Sequence, residues 1–216
     1  MTNHTNQRQP NVIGTLRAVM PNRALTSAEA LRIAELQANK LLALTNTDRP
    51  AVSDGVIAGL PRIKVQHLSP LPMSGYTAWN RGHWLIALNG SESPLRQRFS
   101  LAHEFKHVLD HPFVDEAYSK PRGQNADEWA ERTCDYFAGC LLMPKAWVKS
   151  LYCNQGIQET PTLARLFQVS QAAMRVRLLQ LGLVEQGPRC APYRREATVQ
   201  SITWPAYPVP TMTIAV

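Results

Sequence analysis

The chain has 216 residues, 44% of them hydrophobic and 18% charged, with a formal net charge of +7. This is enough apolar surface for an ordinary core without disulfide staples, and no apolar run approaches the roughly 20 residues of a membrane-spanning helix. The basic excess is diffuse: Arg62 and Lys64, Arg96 and Arg98, Arg175 and Arg177, and Arg194 and Arg195 lie far apart, so charge alone does not argue for a nucleic-acid partner.

The opening MTNHTNQRQPNV is polar and lacks the apolar stretch of a signal peptide. It predicts a flexible N-terminus over 1–12 and a soluble, cytoplasmic protein with no membrane partner. Cys134, Cys140, Cys153 and Cys190 form no CxxC pair, and in a reducing compartment they are expected as free thiols. Thr26-Ser27-Ala28-Glu29 has the form of a capping box. It predicts a helix whose apolar face holds Leu31, Ile33, Ala34, Leu36, Leu41, Leu42 and Leu44. Pro50, Gly55, Gly59, Pro61 and Pro70 then break 45–71 into loop, with one short strand expected over 62–66. Tyr76–Trp79 and Trp84–Leu88, joined through Asn80-Arg81-Gly82, read as a hairpin. The expectation is a small antiparallel sheet.

Ser93-Pro94 has the character of an N-cap followed by proline at the first helical position, and the helix should run to about Asp110. After a loop marked by Pro112 and Gly123, Asn125-Ala126-Asp127-Glu128 predicts a second helix through Met143. Pro144 should end it and open a shorter helix over 145–152. Thr160-Pro161 and Ser170 begin two further short helices, with Gly182 as a C-terminal cap.

The first of the long helices carries His103-Glu104-Phe105-Lys106-His107, the pattern H-E-x-x-H. A shuffled chain of this composition shows it roughly once in a hundred trials, so context must decide. Residues four apart share a helical face, so His103 and His107 can present two imidazoles to one zinc ion. Glu104 sits beside that pair, where it can take a proton from an attacking water. A catalytic zinc needs a third protein ligand and one open position. Glu131 on the next helix can supply the ligand. Asp135, four residues later on the same face, can accept the second N–H of a ligand imidazole. Glu128 is a rival third ligand. His111 reads as a helix-end residue meeting the last carbonyls. Tyr118 and Tyr136 are both candidates to stabilise an oxyanion.

The pair of segments RQRFSLAHEFKHVLDHP and ERTCDYFAGCLLMP resembles the ImmA/IrrE family of metallo-endopeptidases over about 74–182. By that resemblance the zinc histidines are His103 and His107, the catalytic acid/base is Glu104, the glutamate ligand is Glu131 and the supporting acid is Asp135. Where the family often has glycine before the second histidine this chain has Lys106, and where it often has alanine this chain has Cys134. In zincin-like peptidases an edge strand just before the metal helix binds substrate backbone by strand addition. Trp84, Leu85, Ile86, Ala87 and Leu88 occupy that place in sequence.

The segment from Thr162 to Gly182 has a helix-turn-helix pattern, with Leu163, Leu166, Val169, Met174, Leu178 and Leu181 as core and Gln171, Arg175 and Arg177 facing out. A DNA-reading unit would place such residues in the major groove, but two arginines favour packing or protein binding. Residues 187–216 hold five prolines and read as an extended tail. The expected organisation is α+β: a flexible 1–12, a zincin-like core over 13–152, the helix-turn-helix-like segment 153–186 and the tail 187–216. The resemblance implies one Zn2+ and a narrow-specificity endopeptidase. Its expected substrate is a helix-turn-helix repressor or antitoxin-type regulator encoded next door, in phage, mobile-element, stress-response or toxin–antitoxin loci. The alternative is a DNA- or protein-binding regulator whose metal site is structural or idle.

Overall fold

Helix α2 (Ser27–Leu44) begins where the capping box places it: the Thr26 hydroxyl accepts the Glu29 N–H at 3.3 Å, and the Glu29 carboxylate accepts the Thr26 N–H at 2.9 Å. The computed structural model describes residues 11–119 and 126–185. Residues 1–10 of the flexible segment expected over 1–12, the helix start at Asn125, Cys190 and the tail 187–216 lie outside them. Ile33, Ala34, Ala38, Leu41 and Leu42 are buried along α2, whereas Leu36 is exposed. Gln37 is the polar residue on that face, and its amide donates to the Leu16 carbonyl at 3.1 Å, tying down α1 (Val12–Arg17).

The second frame element is α4 (Pro94–Asp110). Ser93 caps it, accepting the Arg96 N–H at 3.3 Å, and Pro94 stands in its first turn. Helix α6 (Ala126–Leu142) packs against both α2 and α4. Phe105 of α4 and Phe137 of α6, both fully buried, meet with ring centroids 6.3 Å apart. Three short helices were not legible in the sequence: α1, which begins at the end of the segment expected as flexible, α3 (Gly55–Ala58), within the stretch expected as loop, and α5 (Val114–Ala117). Four to six residues are too few to show a helical period.

The sheet is mixed rather than antiparallel. Strands β2 (Gly75–Asn80) and β3 (His83–Asn89) form the expected hairpin, turning through Arg81 and Gly82, both at positive φ as a two-residue type I′ turn requires. Strand β1 (Ile63–Leu68) runs parallel to β3 on its other side, giving the order β1-β3-β2. The strand with the most apolar residues takes the centre, where Trp84, Ile86, Ala87 and Leu88 are all buried. Trp84–Leu88 therefore has partners on both sides, and no free backbone edge remains there for an incoming strand. The expectation that it is an edge strand is corrected: the edge beside α4 is β2.

Helix α7 (Lys145–Lys149) follows Pro144 and continues as a π-helical turn, Ser150–Asn154. Helices α8 (Thr160–Phe167) and α9 (Gln171–Gln180) are joined by a tight turn with Gln168 in the left-handed region. Leu163, Phe167, Val169, Met174 and Leu178 bury into the same core as α4 and α6. Two expectations fail here: Leu166 is exposed, and Arg177 is buried at 1% exposure. The Arg177 Nε donates to the Met143 carbonyl at 3.0 Å, and the guanidinium lies 5.5 Å from the Tyr136 ring centroid. Arginine can bury its stem and plane while its donors find carbonyls, so this residue pins α9 to the end of α6. Among the described residues no helix is long and apolar enough to cross a membrane.

Arg177→Ala is expected to cost about 2 kcal/mol or more, since it strands a buried carbonyl and opens a cavity. The exposed Arg175→Ala should stay within about 0.5 kcal/mol of the parent. Urea unfolding midpoints of the two variants check the contrast.

Candidate active site

His103 and His107 stand one turn apart on α4, their Nε2 atoms 3.2 Å apart. Helix α6 brings Glu131 to both: one carboxylate oxygen lies 3.1 Å from His103 Nε2 and the other 3.2 Å from His107 Nε2. A four-coordinate ion with bonds of about 2.0–2.2 Å spaces its ligand atoms about 3.3–3.6 Å apart. The triangle of side chains, closed at its third corner by both oxygens of Glu131, is thus close to the size that would enclose one such ion. Asp135, one turn further along α6, places Oδ1 2.9 Å from His103 Nδ1. Donation from Nδ1–H to that carboxylate leaves the Nε2 lone pair directed at the triangle. Glu128 instead lines a separate cleft with Arg132 and Tyr136.

These groups set one another's proton affinity. Burial lowers the pKa of His103, but the hydrogen bond and charge of Asp135, with the charges of Glu131 and Glu104, outweigh it and hold the imidazole above its ordinary value. Glu104 is buried at 8% exposure. Desolvation raises its pKa against the pull of His107, His103 and a Thr77 hydrogen bond, and Glu131 raises it further. A carboxylate shifted upward is a better proton acceptor than an ordinary glutamate. On the sheet side, the Thr77 hydroxyl donates to the Glu104 carbonyl at 3.2 Å. An open cleft of about 400 Å³ runs between β2 and the two helices, with Gly75, Tyr76 and Thr77 on one wall.

Several neighbours escaped sequence reasoning because their partners are distant in the chain. Lys106 is fully buried, its Nζ 2.5 Å from Asp110 Oδ1, and the Tyr118 hydroxyl donates to the other Asp110 oxygen. Tyr118 also stands edge-on to Trp129, centroids 5.1 Å apart. Tyr118, just after α5, thus joins the Lys106–Asp110 pair of α4 to Trp129 of α6. With its proton given to Asp110, the Tyr118 hydroxyl is not free to meet an oxyanion, and Tyr136 lies under Arg177 in the other cleft. Arg17 donates to the Val108 carbonyl at 2.6 Å and the Leu109 carbonyl at 3.3 Å. It thereby satisfies carbonyls that the end of α4 leaves without helical partners. His111 packs edge-on against Trp84, centroids 4.9 Å apart.

Cys134, which stands where the family often has alanine, has its sulfur within 4.8 Å of the two imidazole donors. Burial first, then the charge of Asp110, keeps that thiol pKa well above its usual range. Two side chains of α6 therefore stand as candidate third donors: Glu131, with its oxygens 3.1 and 3.2 Å from the two nitrogens, and Cys134. Cys134, Cys140 and Cys153 are all free, the first two buried.

A family model described as the IrrE N-terminal-like domain, Peptidase_M78, matches residues 62–179. The radiation response metalloprotease IrrE of Deinococcus deserti is 29% identical over 156 residues, covering 71% of this chain and 52% of the relative. Its namesake in Deinococcus radiodurans is 29% identical over 125 residues, covering 56% of this chain and 36% of that one. The chain thus spans about half the length, or less, of the curated relatives it matches. Among solved structures, a Mycobacterium tuberculosis transcriptional regulator shares the fold with a TM-score of 0.56 at 16% identity, over 78% of this chain and 52% of that one.

Asp110→Ala is expected to destabilise the protein by about 3–5 kcal/mol, because it leaves a buried ammonium without its counter-charge. Adding Lys106→Met should recover most of that loss. A double-mutant cycle on urea unfolding checks both values.

Proposed function

The chain belongs to the IrrE N-terminal-like peptidase family, and we propose that it is a zinc-dependent endopeptidase of narrow specificity. The observation that carries this reading is the convergence of His103, His107 and Glu131, whose contacts of 3.1–3.2 Å run from the two nitrogens to each other and to the two oxygens of Glu131, with the buried Glu104 beside them. His103, His107 and Glu131 would hold the ion. Zinc bound there supplies Lewis acidity to the scissile carbonyl and to the attacking water. Glu104 takes the proton of that water and returns it to the leaving amine, a role its raised pKa suits. Asp135 keeps His103 in the tautomer that can ligate.

The substrate is a polypeptide that lies extended along the free edge of β2, adding a strand to the sheet. The family resemblance favours a helix-turn-helix repressor or antitoxin-type regulator encoded next door, cut in the cytoplasm to release the genes it silences. The alternative of a DNA-binding regulator with an idle metal site is weakened, because Arg177 is buried and only Arg175 of the two arginines faces out.

The decisive experiment incubates the zinc-loaded full chain with a proteome-derived peptide library and with the product of the neighbouring gene, and reads cleavage by mass spectrometry. Glu104→Gln should abolish cleavage while keeping zinc; undiminished cleavage by that variant sinks the reading. Glu131→Gln should lose zinc, whereas Cys134→Ser should keep it; the reverse result would make Cys134 the third ligand.

Metal binding requires a neutral imidazole. Because His103 titrates above its ordinary 6.5, protons compete with zinc from a higher pH than for an unperturbed histidine. Zinc release on acidification is therefore expected to set in at a higher pH than it would with an unperturbed histidine in the same site. Asp135→Asn, which removes the leading upward influence, should move the onset to lower pH. A chromophoric chelator reads the release, and an unchanged onset would contradict the assignment.

A further inference from the structure

Gly75 opens β2 directly opposite Glu104. Its φ is not in the left-handed region, so the backbone there does not call for glycine. The space does. A Cβ at position 75 would stand 3.1 Å from Glu104 Cγ and 3.3 Å from Glu104 Oε1, inside the roughly 3.5–4.0 Å at which carbon atoms rest. Thr77, two residues on, points to the same face of the strand, and its hydroxyl donates to the Glu104 carbonyl at 3.2 Å. One residue leaves room for the carboxylate stem and the next holds its backbone.

We infer that Gly75 and Thr77 form a seat on β2 that positions the Glu104 carboxylate beside His103 and His107. This rests on the reading of Glu104 as the proton-shuttling base. The carboxylate end of a glutamate is flexible, so an added methyl group displaces it at little cost in stability. In catalysis a displacement of about 1 Å can cost a factor of about a hundred. The seat also explains why the free edge strand and the base belong to one unit. The strand that would receive the substrate is the strand that aims the group acting on it.

The same methyl group would come within 3.0 Å of the Ala87 carbonyl on β3, so a loosened hairpin must be told apart from a displaced base. A hairpin defect weakens substrate binding and raises KM; a displaced base lowers kcat alone. The test uses the full zinc-loaded chain and a synthetic peptide spanning the bond cut best in the peptide library. Gly75→Ala should lower kcat by on the order of tenfold to a hundredfold with KM and zinc content unchanged. Thr77→Val, which keeps shape and removes the donor, should lower kcat to a lesser extent. Gly139→Ala, where a Cβ meets open space, should match the parent.

Wild-type kcat in Gly75→Ala, or a loss confined to KM, overturns the seat. Should Gly75→Ala fail to fold, Thr77→Val decides: a kcat loss at constant KM supports the seat, and an unchanged kcat overturns it. Full turnover by Glu104→Gln overturns the base reading and the seat with it. A dead Glu104→Gln beside a fully active Gly75→Ala overturns the seat alone.

Discussion

Two imidazoles four residues apart on α4 must face two carboxylates four residues apart on α6, and the register between those helices is the constraint on which the rest depends. A slide of one residue along α6 moves a side chain by 1.5 Å and turns it by about 100°. Glu131 would then leave the imidazoles and Asp135 would leave His103 Nδ1. The apolar lock of Phe105 on Phe137 fixes the approach of the helices. Tyr118, bonded to Asp110 of the buried Lys106–Asp110 pair and edge-on to Trp129 of α6, ties the two helices together again close to the imidazoles.

Those locks are costly devices. A buried ammonium and carboxylate lose hydration that their mutual attraction only partly returns. Hydrophobic residues of similar volume would hold the helices together as well, but a salt bridge and a short hydroxyl contact have direction, which apolar packing lacks. The same logic applies at the far ends of the helices. Arg17 grips the last carbonyls of α4, and Arg177 grips Met143 just beyond α6. Each ligand helix is thus held by a guanidinium at its C-terminal end. There the exposed carbonyls and the negative end of the helix dipole favour a cation.

The sheet contributes in a different manner. Its centre is filled by the apolar β3, which packs under α4 and leaves β2 as the strand nearest the cleft. A central strand has no spare hydrogen-bonding groups, while an edge strand has a row of them. The exposed edge is commonly a liability; in the proposed peptidase it is where an extended substrate would lie. Gly75 and Thr77 set that edge against Glu104, so the wall of the cleft and the proposed base are a single construction.

Local chemistry written along the chain determined much by itself. The capping box at Thr26, the Ser93-Pro94 start of α4, the hairpin turn at Arg81-Gly82 and the spacing of His103, Glu104 and His107 all depend on residues within a few positions of one another. Glu131 and Asp135 were legible as a pair for the same reason, since their i, i+4 spacing survives without knowledge of α4. Tertiary structure alone decided the rest. It made Trp84–Leu88 central by bringing β1 alongside β3, a pairing across about twenty residues that no local pattern encodes. It buried Arg177, because the face of α9 that meets α6 is set by packing and not by polarity. It placed Cys134 near the imidazoles and Gly75 against Glu104. Sequence spacing determines which side chains share a face; only the folded chain determines what that face meets.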